Sequence, residues 1–165
     1  EGADLDDVVR VAGAANAATR TLGVAFDGCT LPGADHPLFT VPEGHMGLGL
    51  GIHGEPGIAR EKLPTASQLA ERMVNQIVAD VPFVAGEEVA VMINWLGATP
   101  LQELYLFNNA VSSFIEAKGL KIYRTFVGNF MTAIDMAGAS ISILRLDAET
   151  KALLDAAADT PALKI

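Results

Sequence analysis

Apolar residues recur every three or four positions at Leu5, Val8, Val9 and Ala12, and every two positions in MGLGLGIH at 46–53. The first period predicts a helix over 4–19 with one apolar stripe, and the second a strand with one apolar face. TLGVAF (21–26) reads as a short buried strand that runs into the turn-rich DGCTLPGADHP. Thr65 followed by Gln68 is a capping-box signature, and Leu69, Met73 and Ile77 carry one helical face from there to about residue 80. EEVAVMIN (87–94) is an apolar strand closing on the polar Asn94. In Thr99-Pro100-Leu101-Gln102 a capping residue precedes Pro at the first helical position, with Gln three after the cap. The helix predicted there continues through Leu104, Val111 and Ile115 until Gly119 stops it. KIYRTFVGNF (121–130) and SISILRLD (140–147) are two further strands, and Asp147 caps a last helix over 148–157.

Strands and helices therefore intermix, and one long helix separates strands 87–94 and 121–127. That order predicts an α/β architecture with one sheet and helices mainly on one face. The strands at 121–130 and 140–147 lack a helix-length connector, so at least one antiparallel pair is expected and the sheet is mixed. At 165 residues, with no internal repeat or low-complexity linker, the chain suffices for a single domain, 1–165, with its own core.

Composition narrows the partners. A formal net charge of −9 argues against nucleic acid, which needs clustered Lys and Arg, and suits a small uncharged ligand. Cys29 is the one cysteine, so no internal disulfide forms and a reducing, cytoplasmic home is expected. No apolar run reaches membrane-spanning length, and EGADLDDVVR is no signal peptide. A chain that starts without Met suggests a piece of a longer polypeptide.

Gly49-Leu50-Gly51-Ile52-His53-Gly54 matches G-x-G-x-x-G, yet the context of a dinucleotide loop is missing. Such a loop opens a helix whose N-terminus carries the pyrophosphate. Here Glu55-Pro56-Gly57 suits a type II turn, the next helix starts near Thr65, and no Gly-Lys-Ser/Thr occurs. Alternation instead puts Met46, Leu48, Leu50 and Ile52 on one face and Gly47, Gly49, Gly51 and His53 on the other. The glycine face either admits closely packed protein or leaves room for a ligand beside the histidine.

The stretch MGLGLGIHGEPGI resembles the signature of the dihydroxyacetone (glycerone) kinase substrate-binding subunit. The resemblance continues, in order, through GVAFDGCTLPG, INWLGATPLQELY, MTAIDMAGASISIL and LDAETKALLDAAADTPAL. What these segments resemble is the second, C-terminal lobe of that subunit, a two-layer α/β unit. The combined expectation is a two-layer α/β sandwich with a mixed sheet of about six strands and helices mainly on one face. The resemblance implies that His53 bonds covalently to the ketose carbonyl carbon as a hemiaminal, with Gly51, Gly54, Glu55 and Asn94 as pocket residues. Neutral imidazole is a competent nucleophile, with an ordinary pKa near ~6.5. Glycerol, lacking an electrophilic carbon, cannot form the adduct. The resemblance also implies an N-terminal lobe that activates the acceptor hydroxyl and a homodimer. The phosphoryl donor, ATP or ADP with Mg or a phosphotransferase relay, would sit on a separate helical domain or subunit. No GGGSGHEP-type motif of the first lobe occurs here, and Trp95 stands where relatives carry a second Asn. A non-catalytic ketose-binding or sensing paralogue, or a kinase for a four-carbon ketose such as erythrulose, is the alternative.

Other residues carry less. His36, His45 and His53 match no known metal-ligand spacing, so no metal is expected. Glu55 either orients the imidazole or merely fills a turn, and Asn94 either lines the pocket or caps local backbone. Asp135 reads as a turn residue.

Overall fold

The computed structural model describes residues 2–51 and 55–165. The elements run α1 (Leu5–Ala18), β1 (Thr19–Ala25), β2 (His45–Leu48), β3 (Ala59–Lys62), α2 (Ala66–Asp80), β4 (Glu88–Trp95), α3 (Leu101–Ala117), β5 (Lys121–Gly128), β6 (Gly138–Arg145) and α4 (Ala148–Leu154). The strands form one open mixed sheet in the order β3-β2-β1-β6-β4-β5. β4 and β5 run parallel, joined by α3, and the other neighbours are antiparallel. After β5 the chain passes β4 and enters the centre of the sheet, so that Ile141 of β6 faces both Leu22 and Ile93. The antiparallel pairing expected of the last strands is thus made with β1 and β4, not between β5 and β6.

One face of the sheet presents Val24, Leu48, Val91, Ile93, Ile141 and Ile143, all fully buried or nearly so. The facing stripes are Leu69, Met73 and Ile77 of α2 and Leu104, Val111 and Ile115 of α3, at the spacing that keeps side chains on one helical face. Each large side chain buried in this way contributes about 1.5–3 kcal/mol against exposure. The α2 capping box is present: Thr65 Oγ1 accepts from Gln68 N at 3.3 Å, and Thr65 N donates to Gln68 Oε1 at 3.1 Å. Asp147 caps α4 by accepting from Thr150 N at 2.7 Å, which holds its carboxyl below the usual range. α1 and α4 contribute no buried residue, and the Arg10 guanidinium forks onto Glu149 at 2.9 and 2.8 Å to link them. The predicted stripe on α1 therefore faces outward, with Leu5 and Val9 well exposed.

Two expectations fail locally, and one strand was not anticipated. The strand predicted over 46–53 ends at Leu48, because Gly49 adopts φ +71 and breaks the alternation; Ile52 and His53 lie outside the described residues. β3, which pairs with β2 at the sheet edge, carries no apolar alternation; its Arg-Glu-Lys run suits an edge that must not recruit further strands. Thr99 does not cap α3. The N-cap is Pro100, without a side-chain bond, and Thr99 is instead buried, donating to Gly138 O and accepting from Gly138 N, both at 2.8 Å.

Gly49 carries a prediction. A β-carbon there would stand 2.7 Å from Ile58 Cγ1, on a backbone that side chains rarely adopt. Gly49→Ala is expected to cost about 2 kcal/mol in urea unfolding, and a loss under a quarter of that would show the turn to be pliable.

Candidate functional site

The segments singled out in the sequence gather near one end of the sheet, where β1 and β4 finish and β2 and β6 begin. After β2 the chain turns back on itself: Gly49 N donates to Gly23 O at 2.7 Å and Ile58 N to Leu48 O at 2.7 Å. Between these bonds, Gly51 N donates to Glu55 O at 3.3 Å and closes a smaller loop. His53 and Gly54 lie inside that loop in sequence and outside the described residues.

The glycines of this segment are filled by its own atoms. The Leu50 side chain occupies the β-carbon direction of Gly47, Ile58 that of Gly49, and the Glu55 carboxylate that of Gly51. Gly57 packs against the Leu48 carbonyl and Leu50 N. The side chain-free face expected to admit a substrate is therefore closed over these three positions. Protein packing explains the glycines; bare volume does not.

Leu50 anchors the loop. It is buried in a second, smaller apolar cluster with Ala25, Cys29, Val41, Leu96, Ala133 and Met136. The segment 129–137 that supplies Ala133 and Met136 is held tightly. Asn94, 3% exposed, accepts from Phe130 N and Met131 N, both at 2.8 Å, and donates to Met131 O at 2.7 Å. Of the two roles open to Asn94, the geometry displays the backbone-capping one. Thr132 Oγ1 donates to Leu96 O at 3.0 Å, and Asp135 Oδ1 accepts from Thr30 N at 2.8 Å, so Asp135 ties two loops together. Within the segment Ile134 is held at φ +58, a left-handed conformation costly for a β-branched residue. Gly97 packs against the Ile134 carbonyl, where a side chain would collide. Sequence reasoning missed this second cluster; the signal available was the dense run of small residues in Ala133–Ser140.

Burial first, and then the Asp135 carboxylate, pushes the Cys29 thiol up, so it is no candidate nucleophile. Trp95 packs against the main core on the helix side, with its indole N–H unpartnered among the described residues. The residue that departs from the family pattern is thus a packing residue. His36 is exposed in a turn, and His45 sits in β2 with Nδ1 3.0 Å from the Glu43 carbonyl. Among the described residues no three His, Cys, Asp or Glu side chains are grouped to hold a metal ion.

Two cavities lie at this end. One, of about 390 Å³, opens between Phe26, Leu69, Thr99, Leu104 and Phe107. The other, about 340 Å³, is bounded by Leu50, Glu55, Pro56, Ile58 and Arg60, against the loop that contains His53. Gly51 and Glu55 are thus brought together, whereas the Asn94 side chain is spent on the 130–131 backbone.

An open mixed sheet with connecting loops gathered at one end defines an α/β protein with a loop-built site. The chain belongs to the Dak1 domain family, whose model matches residues 1–162. It is 57% identical over 164 residues to the D-erythrulose kinase of Mycolicibacterium smegmatis, covering 99% of this chain and 28% of that protein. It is 41% identical over 165 residues to the dihydroxyacetone-binding subunit DhaK of PTS-dependent dihydroxyacetone kinase 2 from Listeria innocua, covering 100% of this chain and 50% of that subunit. Among solved structures, the dihydroxyacetone kinase operon co-activator Dha-DhaQ superposes with a TM-score of 0.86 at 31% identity, over 98% of this chain and 50% of that one. The chain spans between about a quarter and a half of the length of these relatives. No helix among the described residues is long and apolar enough to cross a membrane.

Proposed function

We propose that this chain is the ketose-capturing lobe of a short-chain ketose kinase, the second lobe of a dihydroxyacetone kinase-type substrate subunit. The observation that carries the reading is 57% identity to a D-erythrulose kinase over 99% of this chain, the Gly-Ile-His-Gly-Glu-Pro-Gly motif included in its sequence. His53 is the attacking group: a ring nitrogen lone pair bonds to the ketose carbonyl carbon, and the carbonyl π pair moves to oxygen. The ring's remaining N–H proton is lost as that oxygen gains one, so the hemiaminal forms with no net change in protons. The captured ketose then presents a terminal hydroxyl for phosphorylation.

The rest of the machinery lies elsewhere in this reading. The acceptor hydroxyl is activated by an N-terminal lobe, and the nucleotide with its magnesium is held by a helical domain or subunit. The working unit is a cytoplasmic homodimer.

Two observations favour finer versions. The higher identity to the erythrulose kinase than to the dihydroxyacetone-binding subunit favours a four-carbon ketose over dihydroxyacetone. Similarity to a co-activator favours, in turn, a sensing role that keeps capture without phosphoryl transfer. Steady-state phosphorylation by the complete protein separates them. Erythrulose is expected to exceed dihydroxyacetone in kcat/KM by about tenfold, with glycerol inert. Glycerol turnover matching that of the ketoses would overturn capture, and ketose binding without turnover would establish the sensor.

A further inference from the structure

We propose that the outer edge of β5 is a docking site for a short extended segment of another polypeptide, which adds to the sheet as a further strand. β5 ends the strand order, and among the described residues its backbone from Ile122 to Val127 bonds to no element besides β4. The two edges of the sheet differ. β3 has four residues and presents Arg60, Glu61 and Lys62, charges that discourage pairing. β5 has eight, and its last four, Thr125-Phe126-Val127-Gly128, carry no charge. A cleft of about 480 Å³ runs along Thr125, Phe126 and Val127, between α3 and the C-terminal residues 162–164. Asn108, on the α3 wall of this cleft, has its Oδ1 buried and without a hydrogen-bond partner among the described residues. A buried acceptor left unpaired is costly, and the N–H of a peptide seated in the cleft is the kind of group it lacks.

Unpaired N–H and C=O groups along a sheet edge repeat at the spacing of another extended backbone, so the ligand they select is a strand. Successive side chains of that strand point to opposite faces of the sheet. On one face they meet Tyr105, exposed on α3, and Val127, which packs against the main core. On the other they meet Phe126 and Phe130, whose rings stand edge to face at 6.2 Å. Both faces therefore favour bulky apolar side chains. Lys164, the charged residue on the cleft, is paired with Asp159 at 2.9 Å. The net charge of −9 opposes an acidic segment and equally a second copy of this chain, and favours a segment with basic flanks. The other half of β5 is already engaged: the Tyr123 hydroxyl donates to Asp155, and Arg124 pairs with Asp155 at 2.8 Å. The open edge is thus the 125–127 end, which suits a short segment better than a two-fold pairing centred on the strand.

The probe is a fluorescently labelled hexapeptide with blocked ends, Lys-Val-Phe-Val-Leu-Lys, titrated into the complete protein and followed by anisotropy. Hydrogen exchange read by mass spectrometry locates the bound peptide. Saturable binding with a Kd below about 1 mM is expected, with amide exchange slowed in residues 121–128. The same peptide methylated at every central amide nitrogen keeps its side chains but cannot bond to the edge, and should bind at least about tenfold more weakly. Thr125→Lys gives β5 the kind of charge that guards β3 and should weaken binding of the unmodified peptide by a similar factor of about ten. Thr125 is exposed, so the substitution leaves the core untouched. Absence of saturation, equal binding of the methylated peptide, or protection confined to another part of the chain would overturn the proposal. A peptide-free dimer that dissociates in Thr125→Lys would assign the edge to a second copy and overturn it as well.

Discussion

If the proposed capture role holds, His53→Ala in the complete protein is expected to abolish the ketose adduct and lower kcat/KM for ketose phosphorylation by roughly a thousandfold, the scale of lost covalent positioning. On the proposed reading, the capture bond holds the substrate in one place and one orientation while its terminal hydroxyl waits for the phosphoryl group. Without it, the ketose is retained only by hydrogen bonds that glycerol makes equally well. The variant should therefore lose discrimination as well as rate, and its ketose-to-glycerol preference should collapse toward unity. A thermal unfolding midpoint within about 2 °C of wild type would show that the loss is one of chemistry and not of fold. Retained selectivity at a reduced rate would assign His53 a role other than capture.

Asn94→Ala is expected to destabilise the protein by about 3 kcal/mol, because a single truncation removes three hydrogen bonds made by one buried side chain. Asn94 sits at the end of β4 and accepts from Phe130 N and Met131 N while donating to Met131 O. It supports the segment that crosses from β5 to the centre of the sheet and supplies Ala133 and Met136 to the cluster around Leu50. For a domain of this size that loss corresponds to a fall in Tm of roughly 6–12 °C. Asn94→Asp should recover part of it, since a carboxylate still accepts from both amides but no longer donates. A cost below about 0.5 kcal/mol in urea unfolding would show that the crossing segment holds itself.

The helices were legible because their signals are local. Thr65 with Gln68 and Asp147 before Ala148 act within four residues, and the stripes of α2 and α3 repeat at the helical period whatever they pack against. Gly119, at φ +79, ends α3 as a glycine should. What stayed hidden depends on residues distant in the chain. Thr99 has the composition of a helix cap, yet Gly138, 39 residues on, claims its hydroxyl. The alternation of MGLGLGIH reads as one strand because nothing in it reveals that Ile58 returns over Gly49 and Glu55 over Gly51. β3 was invisible because Arg60, Glu61 and Lys62 suit an exposed edge and lack apolar alternation. At the candidate site, residue type and family resemblance supply the role proposed for His53, which lies outside the described residues. The packing of the glycines around Leu50 and Glu55 emerged only from the folded chain.

Covalent capture is tested most directly by ¹³C NMR of the complete protein with a short ketose, dihydroxyacetone or erythrulose, labelled at C2. The carbonyl resonance of the bound ketose should move into the tetrahedral carbon region in the wild-type protein and stay at the free carbonyl position in His53→Ala. A bound ketose that keeps its carbonyl resonance in the wild type, or an adduct that survives His53→Ala, would contradict capture by this histidine.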